Sequence, residues 1–163
     1  MLPLSVPDAP WQLRGEAMAF MASPFHLRLL VNYHESPVGP YLEHALGTLT
    51  ARGPHIFQMS VDLEASKIGG REIWGFPKEL EALNWQKKGP HLKFERESQR
   101  FRLRISKPAF PLALSFWTIQ NLNGEDVRVP GRIKATGQFA WCGRQLALYL
   151  ANFEMIFEAP QPL

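Results

Sequence analysis

The alternation of apolar and polar positions divides this chain into many short extended segments. Phe25, Leu27, Leu29, Val31 and Tyr33 alternate with His26, Arg28, Leu30 and Asn32, the period of two that a half-buried strand requires. Phe57, Met59, Val61 and Leu63 alternate in the same way with Ile56, Gln58, Ser60 and Asp62. Before them, Trp11, Leu13, Ala17, Phe20 and Met21 make a less regular strand with an irregularity at Gly15, after an extended, proline-rich lead over Met1–Pro10. Tyr41-Leu42-Glu43 begins an ordered piece whose type the pattern leaves open.

The run Leu63 to Trp74 is the best candidate for a helix, with Asp62 placed to cap it, although Gly69 and Gly70 weaken its interior. Further on, Leu92 and Phe94, then Phe101, Leu103 and Ile105, alternate with charged residues across a short break and predict an antiparallel hairpin. Leu112 to Ile119 is almost wholly apolar and reads as a strand buried on both faces, or as a buried helix. A turn at Asn121–Glu125 precedes strands over Ile133–Trp141, Leu146–Leu150 and Phe153–Phe157. These elements predict a single domain over 1–163, mainly β with minor α, its antiparallel sheet curled into a barrel or cone.

Composition changes this picture little. Fourteen prolines and twelve glycines, spread along the chain, fit many short elements joined by turns. A net charge of +3 without basic blocks or a nucleic-acid module argues against nucleic acid and for a weak pull on small anions. Arg100, Arg102 and Arg104 share one strand face, which reads as a solvated surface. Cys142 is the single cysteine and the five histidines show no ligand-pair spacing, so neither a disulfide nor a metal is expected. No apolar run approaches the roughly 20 residues of a membrane span, and Met1–Pro7 lacks the charged and apolar regions of a signal peptide; the expectation is a cytoplasmic protein away from the membrane.

The candidate chemistry lies in Gly69-Gly70-Arg71-Glu72-Ile73-Trp74-Gly75-Phe76-Pro77-Lys78-Glu79-Leu80. A lysine amine, with an unperturbed pKa of about 10.4, is a nucleophile only where its surroundings lower that value. Trp74, Phe76, Pro77 and Leu80 are apolar groups able to do so for Lys78; a solvated lysine at a surface turn is the plain alternative.

This run resembles the signature of the acetoacetate decarboxylase family, Gly-Arg-Glu followed by aromatic-Pro-Lys. Asp62 and Glu64 form a matching upstream Asp-x-Glu, Tyr41-Leu42-Glu43 resembles the family's Tyr-x-Glu, and Pro10-Trp11-x-Leu13 resembles its lead. The resemblance implies a lysine imine (Schiff-base) lyase without cofactor, acting on a small oxo acid, with Lys78 the nucleophile and Glu43 a proton relay or positioning group. It makes Arg14, Tyr41, Phe76 and Glu64 the candidate substrate-binding residues, Glu64 reading equally as a first-turn helix acid. It also implies a homo-oligomer.

The chain departs from the family at several points. Glu79 stands where the decarboxylase has a second lysine, the cation to which that family owes its lowered lysine pKa. Glu16 falls near the family's substrate-binding arginine, with Arg14 a possible substitute, and Leu29 replaces a pocket glutamate. The chain is also shorter. These departures open the alternative of a non-catalytic barrel that binds a small molecule.

Overall fold

The computed structural model describes residues 5–163; the part of the lead over Met1–Leu4 lies outside them. Eleven strands form one sheet: β1 (Trp11–Ser23), β2 (His26–Glu35), β3 (Tyr41–Thr50), β4 (Gly53–Val61), β5 (Lys78–Leu80), β6 (Asn84–Lys88), β7 (His91–Arg96), β8 (Gln99–Leu122), β9 (Glu125–Cys142), β10 (Gln145–Phe157) and β11 (Gln161–Pro162). A short helix, α1 (Glu64–Gly69), and a π-helical turn (Gly70–Trp74) lie between β4 and β5. No helix among the described residues is long and apolar enough to cross a membrane.

The strands lie in the order β5-β4-β3-β2-β1-β10-β9-β8-β7-β6, with β11 against β9. Neighbours are antiparallel except β5, which runs parallel to β4 because the helical segment carries the chain back to its start. The expected hairpin forms as β7–β8, with Phe94 opposite Phe101 and Leu92 opposite Leu103. At the β8–β9 turn Asn123 and Gly124 both have positive φ, as a two-residue hairpin turn demands.

Alternate residues of the central strands enter two different cores. Ala17, Val31 and Ala45 face one that also holds Trp11, Tyr33, Tyr41, Trp74, Phe76 and Phe153. Met18 and Leu30, each one residue away from these, face a second core, closed by Leu92, Phe94 and Leu103 of the β7–β8 hairpin folded over the back of the sheet. Burial on both faces explains why the β1 sequence is apolar almost throughout its middle.

Three expectations need correction. The ladder of backbone hydrogen bonds ends at β5 and β6, so the sheet is not a closed hydrogen-bonded barrel. It curls far enough to bring β8 to β4, but side chains make the junction. Gln120 accepts from the Ile56 N–H at 2.9 Å and donates to the Ile56 carbonyl at 3.0 Å, its carboxamide standing in for a peptide group; His55 Nδ1 meets the Ile119 carbonyl at 2.8 Å. Second, Leu112–Ile119 is a strand paired with β9 but is not buried on both faces: Ile119 is buried, whereas Leu114 remains 45% exposed. Third, the helical run has the expected extent but changes type at the glycine pair, and Asp62 does not cap it. Leu63 occupies the N-cap, while the Asp62 carboxylate accepts from the Leu42 N–H at 2.7 Å and ties the end of β4 to β3.

Gln120 is 1% exposed, and replacing it by leucine strips the side-chain partner from two buried backbone groups. Gln120→Leu is expected to lower unfolding free energy by about 2–4 kcal/mol, measured by denaturant titration.

Candidate active site

Lys78 begins β5 with its side chain directed into the first core, where it is 4% exposed. Its Nζ lies 3.3 Å from Glu43 Oε2, donates to Ser66 Oγ at 2.9 Å, and stands 5.2 Å from the centre of the Tyr41 ring. Three elements converge on the amine: β3 supplies Tyr41 and Glu43, two residues apart and so on one face; α1 supplies Ser66; β5 supplies the lysine. Behind Glu43, the Tyr33 hydroxyl donates to Oε1 at 3.1 Å. Glu43 and Ser66 are as buried as the lysine.

The Gly-Arg-Glu to Pro-Lys run is the mechanical support of this arrangement. Gly70 packs against the Lys78 side chain so closely that a Cβ there would come 2.5 Å from Cδ. Gly75 closes the π-helical turn in the left-handed region (φ 75°), against the Asn121 carbonyl, where any side chain would collide. Arg71 Nε donates to the carbonyl of Lys78 itself, and its guanidinium pairs with Glu79. Trp74 and Phe76, both buried, pack with Phe157 and anchor the turn; the Trp74 indole donates to the Glu158 carbonyl at 2.7 Å.

Burial holds the Lys78 pKa below the ordinary lysine value, with Glu43 acting in the opposite direction. Burial also pushes Tyr33 and Tyr41 well above the usual phenol range, so both remain hydroxyl donors at neutral pH. Glu79 does not enter this balance. As the next residue on the strand it points away from the core, is exposed, and is engaged by Arg71.

Of the candidate residues, the structure brings Lys78, Glu43 and Tyr41 together. Phe76 lies in the same core, within the aromatic cluster of Trp74 and Phe157. Arg14 is not brought to the lysine: it sits on the outer face of β1, 62% exposed, paired with Glu154 at 3.3 Å. Glu64 is also outside the site, exposed in the first turn of α1. Glu16 shares the outer face and binds Tyr149 and His34, whereas Leu29 does pack against the first core. Arg100, Arg102 and Arg104 are exposed.

Sequence reasoning missed Ser66 and Tyr33. Tyr33 was legible as an inward residue of β2, but its hold on Glu43 depends on the β2–β3 register. Ser66 carried no signal, because a lone serine in a helix is ordinary until the neighbouring strand is placed. Among the described residues no group of three or more His, Cys, Asp or Glu is arranged to hold a metal ion.

The fold that presents this site is acetoacetate decarboxylase-like. A crystal structure of acetoacetate decarboxylase from Legionella pneumophila subsp. pneumophila str. Philadelphia 1 superposes with a TM-score of 0.66 at 12% identity, covering 100% of this chain and 90% of that one. A second structure, from structural studies of acetoacetate decarboxylase, gives a TM-score of 0.57 at 12% identity over 96% of this chain and 89% of that one. No protein-family model and no curated protein sequence matches the chain.

Because Gly70 abuts the lysine, Gly70→Ala is expected to leave the fold intact but displace the amine from Glu43 and Ser66. Still buried but parted from the carboxylate that raises its pKa, Lys78 should show a pH midpoint of modification, followed by mass spectrometry of the labelled peptide, that moves further below the ordinary lysine value of about 10.4.

Proposed function

We propose that this protein is a cofactor-independent lysine imine lyase acting on a small oxo acid. The observation that carries this reading is a buried lysine amine whose polar neighbours are one carboxylate and one hydroxyl. Neutral Lys78 attacks the substrate ketone; a C–N bond forms and water leaves, giving a protonated imine. The bond between the substrate's carboxylate and its α-carbon then breaks. Carbon dioxide departs, and the electron pair flows to the iminium nitrogen to give an enamine. Protonation at carbon and hydrolysis release the ketone and restore the amine.

Glu43 is the group placed to take a proton from the Lys78 ammonium and return one to an intermediate, and Tyr33 fixes its orientation. Ser66 holds the amine in place. The low-dielectric surroundings favour the neutral amine before attack and also favour loss of the substrate's carboxylate charge as carbon dioxide.

A second reading is a non-catalytic protein that binds a small molecule. It is favoured by Arg14, the proposed carboxylate anchor, which is engaged with Glu154 on the outer face. Borohydride treatment with a panel of 3-oxo acids separates the two. Imine chemistry predicts a covalent adduct at Lys78 and none in Lys78→Ala; ligand binding with no adduct across the panel selects the second reading.

The pair also predicts a specific pH response. The neutral amine is the reactive form, so Lys78 reactivity rises with pH and reaches its midpoint below that of a surface lysine. Glu43 raises the Lys78 pKa, so Glu43→Gln is expected to move that midpoint to still lower pH. Turnover should nevertheless fall by about 10²–10⁴-fold as the proton carrier is lost. Amine reactivity that rises at neutral pH while kcat falls distinguishes this role from simple structural damage.

A further inference from the structure

Directly behind the Lys78 site, the other face of β3 carries a second cluster that imine chemistry does not use. His44 follows Glu43 and points into the second core, where it is 0% exposed. Two arginines converge on its Nε2: Arg28 Nη1 at 2.6 Å and Arg96 Nη1 at 3.4 Å. Guanidinium groups only donate, so Nε2 is the acceptor and the ring proton sits on Nδ1. Burial first, and the guanidiniums of Arg96 and Arg28 after it, keep this imidazole neutral down to a pKa of about 3.

The charges in this cluster are unbalanced. Arg96 is paired with Glu81, Nε donating to both carboxylate oxygens and Nη2 to one of them, at 2.8–3.1 Å. Arg28 makes no ion pair among the described residues, and its guanidinium carbon lies 4.6 Å from the centre of the Phe101 ring. The nearby Cys142 thiol supplies no compensating charge, since burial raises its pKa. Two guanidiniums therefore share one carboxylate. Moreover, two buried donors, Arg28 Nε and His44 Nδ1, have no hydrogen-bond partner among the described residues. A buried donor without an acceptor costs about 1–3 kcal/mol, and a half-buried cation beside another cation adds to that. The two guanidiniums converge on the Nε2 side of the ring, and the Nδ1 N–H points away from them.

We propose that Arg28 and Arg96, packed beside His44, form a binding site for a small oxyanion, a carboxylate or phosphate group, on the face of β3 opposite Lys78. The anion lies against the two guanidiniums and takes donors from both, while His44 Nε2 stays the acceptor for their remaining N–H groups. Arg28 is its principal partner because Arg96 is already held by Glu81. The planar guanidinium fork suits an oxyanion better than a halide. This site is separate from the one at Lys78, and neither depends on the chemistry of the other.

The test uses the full chain with inorganic phosphate and acetate as probes, against sodium chloride at matched ionic strength. Thermal unfolding should show a saturable rise in Tm with phosphate or acetate that chloride does not reproduce. Arg28→Gln should abolish the rise, while Arg104→Gln, on the exposed face of β8, should keep it. In the wild-type chain, the ¹⁵N resonances of His44 should shift saturably with the same probe at constant pH. This second readout stands even where an arginine variant fails to fold. An equal Tm response in Arg28→Gln, or His44 resonances that do not move with either probe, overturns the proposal.

Discussion

The contact between Lys78 and Glu43 sets the terms for the rest of the first core. Removing two opposite charges from water costs more than their attraction returns unless further hydrogen bonds complete the arrangement. Here Ser66 takes one proton of the ammonium, Tyr33 donates to the carboxylate, and the Tyr41 ring lies beside the cation. Each partner comes from a different part of the chain, so the pair can form only where β2, β3, β5 and α1 are all in register. The Gly70 approach, the left-handed Gly75 and the Arg71 bond to the Lys78 carbonyl serve that requirement. They deliver one side chain to one point at the cost of ordinary helix geometry.

That dependence explains what was legible in the sequence. Strands showed themselves because alternation is a local property, and β2, β4, β7 and the start of β8 fell where the period of two placed them. Lys78 showed itself through a local motif, since the supports of the lysine lie within a dozen residues of it. Arg14 misled for the opposite reason. Which face of β1 it occupies depends on the irregularity at Gly15, where the pairing with both neighbouring strands shifts; the pattern marks the break there but not the register on either side of it. Closure of the sheet was equally out of reach. Whether β8 joins β4 through a backbone ladder or through Gln120 is decided by curvature summed over many strands.

Glu43 and His44 show how much one strand step can separate. The first is an ionisable group with a buried opposite charge; the second is a neutral imidazole beneath two cations. They are adjacent in sequence, yet their side chains enter cores with no shared side chains. The pleat of β3 is thus the partition between two electrostatic environments of opposite character. The sheet is thin enough for both to be built from one run of residues.

The same physics bears on how Lys78 could become a nucleophile without a neighbouring cation. In the decarboxylase family that this fold resembles, a second lysine after the reactive one is the source of repulsion; here that position is Glu79, directed outward and held by Arg71. Burial is the remaining influence that lowers the Lys78 pKa, and Glu43 opposes it. On the proposed reading, one proton moving across 3.3 Å, from Nζ to the carboxylate, would give the neutral amine without exchange with solvent. A site organised in this way needs its carboxylate as much as its lysine. Among the described residues, the carboxylate that steadies the Lys78 ammonium is also the base in contact with it.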